Sequence, residues 1–117
     1  MGLEGQVSGL LESLSLAGVR QAVLASQDGL VIESVGKETP EPELLAAELA
    51  ALAQASRVLA RSLGGELRRF TLATEQREVL AVVFKGYCLG AVVEKGSDRK
   101  SIGQELSRLA LRLAQSL

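Results

Sequence analysis

The chain has 117 residues, of which 47% are apolar and only 3% aromatic, and its formal net charge is −1. This length is typical of one domain, so residues 1–117 are expected to share a core built from Leu, Val and Ala. The sequence has no His and a single Cys. An internal disulfide is therefore excluded, as are the commonest general base and every His-based metal site.

Localisation and two partner classes are constrained by the same composition. No stretch approaches the roughly 20 apolar residues that cross a bilayer, and the N-terminal segment lacks the basic region that begins a signal peptide. Most basic residues follow residue 50, but they are spread over helix, strand and loop with almost no aromatic residues to stack on bases. The sequence predicts a cytoplasmic protein that binds neither membrane nor nucleic acid.

The first third of the chain predicts a helix and a hairpin. Apolar residues recur at spacings of three and four from Leu3 to Leu14, which indicates a short amphipathic helix. Two apolar runs follow, Val19–Ser26 and Leu30–Val35, and Gln27-Asp28-Gly29 links them as a hairpin turn. Helices are expected on both faces of these strands, so Leu30–Ile32 should be buried.

A long helix is predicted from Glu43 to Leu63, because nothing interrupts its pattern. Thr39 is a suitable cap, proline suits the first turn, and Gly64-Gly65 ends the helix. One stripe is expected to pack on a sheet; it consists of Leu45, Leu49, Leu52, Ser56, Leu59 and Leu63.

The opposite side of this helix carries few charged residues. It presents Ala47, Ala50, Ala51, Gln54 and Val58, whereas an exposed helix usually presents Lys and Glu. Two interpretations stay open. The small residues indicate a second packing partner, or Ala is present because it is the best helix former.

Three strands and a helix complete the chain. The strands are predicted at Leu67–Ala73, Val79–Phe84 and Tyr87–Val93, and the helix at Lys100–Gln115. Gly90, inside the last strand, indicates close approach of another backbone. Because tight turns join the strands within each group, the sheet should be mainly antiparallel.

Candidate chemistry is sparse. The interval from Gly29 to Gly36-Lys37 has the wrong spacing for a phosphate-binding loop, and Glu38 follows the Lys. Cys88 lies in a predicted strand and is better explained as a core residue than as a nucleophile. Asp28 has a sufficient explanation as a turn residue, and the neighbouring acids lack a companion base. No catalytic, cofactor-binding or metal-ligating residue is predicted.

Two long runs carry a family resemblance. The run AVLASQDGLVIES, followed by a Leu/Ala-rich helix that ends in Gly, resembles the Roadblock/dynein-light-chain family. So does VLAVVFKGYCLGAVV, which leads into an amphipathic C-terminal helix. The resemblance implies an α+β fold: a five-stranded antiparallel sheet with the long helix on one face and the two terminal helices on the other.

The same resemblance implies a homodimer in which the third strands pair edge to edge and the long helices pack together. Carried onto this chain, it places two sets of residues at the dimer interface. The helix would contribute Ala47, Ala51, Gln54 and Val58, and the strand Arg68, Phe70 and Leu72.

The resemblance also implies a function without catalysis. Bacterial members that are similar to the gliding-motility regulator bind a small Ras-like GTPase and can stimulate its hydrolysis of GTP, and other members are adaptors in scaffolds. Glu48, Arg57 and Arg61 are the predicted partner-binding residues, although either arginine can also be a solvated surface charge. A structural adaptor with no effect on nucleotide turnover is the alternative, and an enzyme is a third hypothesis.

Overall fold

Five strands and two helices form the described part of the chain, which a computed structural model gives for residues 19–36 and 40–117 and for Leu11, Ser13 and Leu14. The elements in chain order are β1 Val19–Ala25, β2 Val31–Val35, α1 Pro42–Leu63, β3 Arg69–Ala73, β4 Arg77–Phe84, β5 Tyr87–Glu94 and α2 Arg99–Ser116. Leu11, Ser13 and Leu14 are helical. The rest of the helix predicted from Leu3 to Leu14 lies outside the described residues, as does Thr39.

The strands form one antiparallel sheet in the order β2-β1-β5-β4-β3. β1 pairs with β2 on one side and with β5 on the other, and β4 joins β5 to β3. The predicted five-stranded antiparallel sheet is therefore confirmed. Among the described strands, β2 and β3 each have one neighbour, so they are the two edges of the sheet.

Two tight turns lie side by side at one end of the sheet. In the β1–β2 turn, Gly29 has a φ of 85° and its N–H donates to the Ser26 carbonyl oxygen over 3.0 Å. In the β4–β5 turn, Lys85 and Gly86 have φ values of 47° and 83°. A Cβ added to Gly86 would lie 3.1 Å from Gln27 Oε1, so the two turns are neighbours.

The β1–β2 turn explains Asp28 and corrects the prediction for Leu30. Asp28 is exposed beside Gly29, as expected of a turn residue. Leu30 is also exposed, although it was expected to be buried, whereas Val31 and Ile32 are half-buried. Leu30 still belongs to the turn, where its carbonyl oxygen accepts from Ser26 N, and the strand that follows it is an edge strand.

The sheet separates two apolar clusters. On one face, α1 packs against residues of β1, β4 and β5, and the cluster consists of Val23, Ala25, Leu45, Ala46, Leu49, Ala81, Cys88 and Val92. On the other face, α2 contributes Ile102, Leu106, Leu109, Ala110 and Leu113, and Leu11 and Leu14 join them. Neighbouring residues Val23 and Leu24 belong to opposite clusters, as the period of a strand requires. α1 and α2 therefore lie on opposite faces.

The start of α1 differs from the prediction. Pro42 occupies the first turn of the helix, and the residue before it, Glu41, is the N-cap. The Glu41 side chain makes no capping hydrogen bond, but its carbonyl oxygen accepts from Leu45 N over 2.9 Å. Proline suits this position because its missing N–H would have no partner within the helix.

The leucine stripe of α1 packs on the sheet only over its first half. Leu45 and Leu49 are buried, together with Ala46 and Ala53, which the predicted stripe did not include. Leu59 and Leu63 are 65% and 79% exposed, so their assignment to the sheet-facing side is wrong. α1 packs mainly on β1, β5 and β2, and its later turns run past the strands beneath it.

The start of α2 is capped by a side chain. Asp98 Oδ1 accepts from Ser101 N over 3.2 Å, and Oδ2 accepts from the Ser101 hydroxyl over 2.7 Å. These hydrogen bonds lower the pKa of Asp98, and the one from the Ser101 hydroxyl has the largest effect. A carboxylate with a lowered pKa stabilises the fold above its ordinary pKa and loses that contribution as the pH falls through the lowered value.

Gly90 makes room for a side chain and not for another backbone. A Cβ added at Gly90 would overlap Leu49 Cδ1 and lie 3.3 Å from Leu49 Cδ2. Leu49 is almost fully buried, so it has little space into which it can move. The glycine therefore lets α1 lie close to the middle of the sheet.

Replacing Gly90 with Ala should lower the free energy of unfolding by about 1–3 kcal/mol, because the new methyl overpacks the core against Leu49. The matched control is Gly103→Ala on α2, where an added Cβ meets nothing within 4 Å; it should be neutral or stabilise by up to about 1 kcal/mol. Urea unfolding measures both. In a Leu49→Ala background the Gly90→Ala penalty should disappear, and a penalty that persists there would contradict this explanation.

Candidate functional site

The described residues hold no cluster of candidate metal ligands. No group of three or more Cys, Asp or Glu side chains within residues 19–36 and 40–117 could hold a metal ion. Cys88 is buried against α1, and burial raises the pKa of its thiol to about 12. The exposed surfaces of α1 and β3 are candidate binding sites for another molecule.

One such surface is the outward ridge of α1, defined by Ala47, Ala51, Gln54 and Val58. All four side chains are exposed, and Val58 is 70% exposed. These are the helix residues that were predicted to face a second copy of the chain. The structure leaves this side of α1 uncovered, although it is apolar for most of its length.

A second surface is the leucine flank of α1, defined by Leu52, Ala55, Leu59 and Leu63. The structure half-buries Leu52 and exposes the other three residues. The sequence stripe contains three of these residues, but a stripe alone does not show how far the sheet extends beneath a helix. Only about the first three turns of α1, as far as Ala53, pack on the sheet, so the later leucines reach solvent.

The direction of the leucine flank follows from the contacts of the opposite flank. A Cβ added to Gly29 would lie 3.2 Å from Ala47 Cα and 3.5 Å from Ala50 Cβ, so that side of α1 contacts the β1–β2 turn. Successive residues of a helix advance by about 100°, which places the leucine flank on the other side. It therefore faces the half of the sheet formed by β4 and β3.

The β3 edge lies beside this flank. Within the described sheet β3 pairs only with β4, so its other side presents unpaired backbone N–H and C=O groups. Phe70 is half-buried against the α1-side cluster, and Leu72, two residues along on the same face, is exposed. An open edge strand with apolar side chains can form backbone hydrogen bonds with a strand of another chain.

The predicted partner-binding residues do not form one patch. Glu48 lies toward the leucine flank, whereas Arg57 and Arg61 lie on the opposite flank of α1, as helix geometry requires. There they line a groove of about 510 Å³ that we call the basic groove. Its other lining residues are Gln27, Gly65, Glu66, Leu67, Arg68, Val83, Phe84, Lys85 and Gly86.

Arg68, one of the residues predicted at the strand part of the dimer interface, lines the basic groove. Arg68 precedes β3, and its carbonyl oxygen accepts from Val83 N over 2.8 Å. Its side chain lines the groove with Arg61 and Lys85. No sequence spacing joins these three residues, because they come from α1, from the connection to β3 and from the β4–β5 turn.

An antiparallel sheet with an open edge and with helices on both faces is the architecture of a small α+β domain of the Roadblock class. Residues 8–92 match the family model of the Roadblock/LC7 domain. The chain belongs to the Roadblock/LC7 family, and the resemblance found in its sequence is confirmed.

Solved structures give the same fold. The Roadblock/LC7 domain from Streptomyces avermitilis is 22% identical, with a TM-score of 0.84 over 92% of this chain and 94% of that chain. The gliding protein MglB from Thermus thermophilus is 20% identical, with a TM-score of 0.88 over 98% of this chain and 91% of that chain. An MglB with a tetrameric arrangement is 21% identical, with a TM-score of 0.90 over 98% of this chain and 90% of that chain. A search of curated proteins found no match.

None of the helices in the part of the chain that the structure describes is long and apolar enough to cross a membrane.

The Cys88 thiol should be unreactive in the folded protein. With its pKa raised to about 12, almost none of it is thiolate near neutral pH, and the thiolate is the reactive form. A disulfide reagent such as Ellman's reagent should label the native protein slowly and label the protein in guanidinium at once. Labelling should quicken as the pH rises toward the raised pKa. Prompt labelling of the native protein near neutral pH would show an accessible thiolate instead.

Proposed function

We propose that this protein is a homodimeric, non-enzymatic regulator that binds a small Ras-like GTPase. The observation that supports this best is the apolar surface that one copy leaves open along α1 and the β3 edge. Family membership adds weight, because the resemblance of the sequence to bacterial GTPase regulators implies the same role. The chain contributes recognition surfaces, and the nucleotide chemistry belongs to the GTPase.

The proposed dimer joins two copies at β3. A two-fold axis perpendicular to the sheet makes the paired strands antiparallel, and it also brings the two α1 helices to the same face in antiparallel orientation. Phe70 and Leu72 then lie at the junction, and the leucine flank of each α1 faces the other copy. Pairing in this way satisfies the open backbone groups of β3.

Within this dimer the leucine flank is the favoured helix contact. Leu59 and Leu63 face the β3 side, whereas the outward ridge points away from the sheet. Fully burying a Leu contributes about 1.5–3 kcal/mol, so the two leucines of each copy are a substantial source of association energy. The ridge residues Ala47, Ala51, Gln54 and Val58 then remain available to the GTPase or join the edge of the interface.

Charge placed on the leucine flank should separate the dimer. Leu59→Glu puts a carboxylate into an apolar contact, and burying an unpaired charge is strongly unfavourable. Light scattering should give a dimer for the wild type and a monomer for this variant. The matched control is Leu111→Glu on α2, because Leu111 is 70% exposed but lies on the other face of the sheet; it should remain dimeric.

The corresponding change on the outward ridge distinguishes the two helix surfaces. Ala51→Arg should leave the dimer intact if the leucine flank makes the contact, and should release monomers if the ridge does. A wild-type protein that is monomeric at every concentration tested would rule out the homodimer itself.

Regulation is tested by GTP turnover. The Ras-like GTPase from the same organism should form a complex with this chain, and its rate of GTP hydrolysis should change when the chain is added. Binding with an unchanged rate would favour the alternative function, an adaptor dimer that links other proteins. No complex and no change in rate would contradict the proposed function.

A further inference from the structure

The basic groove lies where three connections meet at one end of the sheet. Its walls are the last turns of α1, the α1–β3 connection and the β4–β5 turn, and its volume is about 510 Å³. Gly64 and Gly65, with φ values of 92° and 120°, reverse the chain after α1. This reversal brings Arg68 back beside Arg61, and the tight turn at Gly86 holds Lys85 at the groove.

Positive charge in the groove exceeds negative charge. Arg57, Arg61 and Arg68 line it, and Glu66 is its single acidic lining residue. Arg57 Nη1 donates to Gln54 Oε1 over 3.2 Å, which is a neutral acceptor. Lys85 also lines the groove, but its Nζ donates to the Ala114 carbonyl oxygen of α2 over 2.6 Å, so its charge lies toward the other face of the sheet.

Four arginines elsewhere on the described surface form ion pairs, whereas Arg69 and Arg112 form none with a described carboxylate. Arg20, Arg77, Arg99 and Arg108 each contact a Glu carboxylate. Within the described residues, no such ion pair involves the three arginines of the groove. Three arginines without an ion pair to a described carboxylate therefore lie together at the groove, with one acidic residue beside them.

The floor of the groove is partly apolar. Leu67 and Val83 contribute to its lining, and each is half-buried; Phe84 also borders the groove, but its side chain packs against the cluster on the α2 face. A ligand that fits must therefore combine anionic groups with apolar ones. A peptide segment rich in Asp and Glu that also carries apolar side chains has this combination.

The type of cation and the end of the helix distinguish among anions. The three cations that face the groove are arginines, whose planar guanidinium groups bind carboxylates through two parallel hydrogen bonds. The C-terminal end of α1 borders the groove, and its carbonyl groups carry partial negative charge. This partial negative charge repels a compact dianion such as a phosphate more strongly than it repels single carboxylates that are spread along a peptide. A concave groove also fits a segment of chain better than a membrane surface.

We propose that the basic groove is a docking site for an acidic segment of a protein partner. The proposal rests on the proposed function only in assuming that the chain binds a protein, and it does not depend on the dimer. Arg57 and Arg61 are on the flank of α1 opposite the leucine flank, so an occupied groove and a formed dimer are compatible.

The test uses a short fluorescein-labelled peptide rich in glutamate with a central pair of leucines, and its fluorescence anisotropy is measured with the full chain. The variant is Arg57→Glu/Arg61→Glu. The matched control, Arg108→Glu/Arg112→Glu, changes the net charge equally, at the same four-residue spacing on a helix, but lies on α2. The first variant should weaken binding at least about tenfold, and the control should bind as the wild type does.

Three controls make the outcome specific. A peptide with glutamine in place of glutamate should not bind, and circular dichroism should show that both variants are folded. Light scattering should show that the groove variant keeps the oligomeric state of the wild type. A groove variant that loses peptide binding while it remains dimeric therefore separates the groove from the dimer.

Several results would overturn the proposal. Equal loss of binding in the α2 control would show attraction by overall charge and not by the groove. The proposal also fails if the wild-type protein does not bind the peptide. This holds even if the protein binds phosphatidylserine vesicles or a single-stranded oligonucleotide through Arg57 and Arg61. An intact dimer and an unaltered GTPase effect alongside such a result would leave the proposed function standing.

Discussion

One helix lies across a sheet that is wider than the helix can cover, and much of the structure follows from this mismatch. α1 packs on the strands through four buried residues, Leu45, Ala46, Leu49 and Ala53. Gly90 lets the helix lie close to the middle of the sheet. The later turns pass beyond the covered strands, so Leu59 and Leu63 stay in solvent. The same geometry leaves the α1 face of β3 and β4 partly open and β3 without a second neighbour among the described strands.

The two flanks of α1 differ in chemistry and serve different contacts. The flank toward β3 is rich in leucine, and association with another apolar surface is how such side chains are removed from water. The flank toward the turns ends in Arg57 and Arg61, which join Arg68 and Lys85 around the basic groove. A dimer formed on one flank and a partner bound on the other would not compete, because the body of the helix lies between them.

Features with a local cause could be predicted from the sequence. The Asp28-Gly29 turn, the Lys85-Gly86 turn and the strands they join depend on neighbouring residues, and the structure reproduces them. The long helix was predictable because no residue from Glu43 to Leu63 interrupts it. Leu30 was misassigned because its apolar character does not reveal that it sits in a turn before an edge strand. The Leu59 and Leu63 error has a similar origin, since spacing identifies a stripe but not the width of the sheet below it.

The sequence by itself determined the order of the elements, the antiparallel pairing expected from tight turns, and the shortage of groups for acid-base or metal chemistry. These properties depend on residue identity, on local backbone preference and on short-range spacing. Only the tertiary structure decided which strand became the open edge, which leucines remained exposed and which cations came together. Arg61 and Arg68 line one groove because the reversed connection after α1 brings the start of β3 back beside the end of the helix. Contacts between segments that are distant in sequence depend on the packing of the whole chain, which no local pattern records.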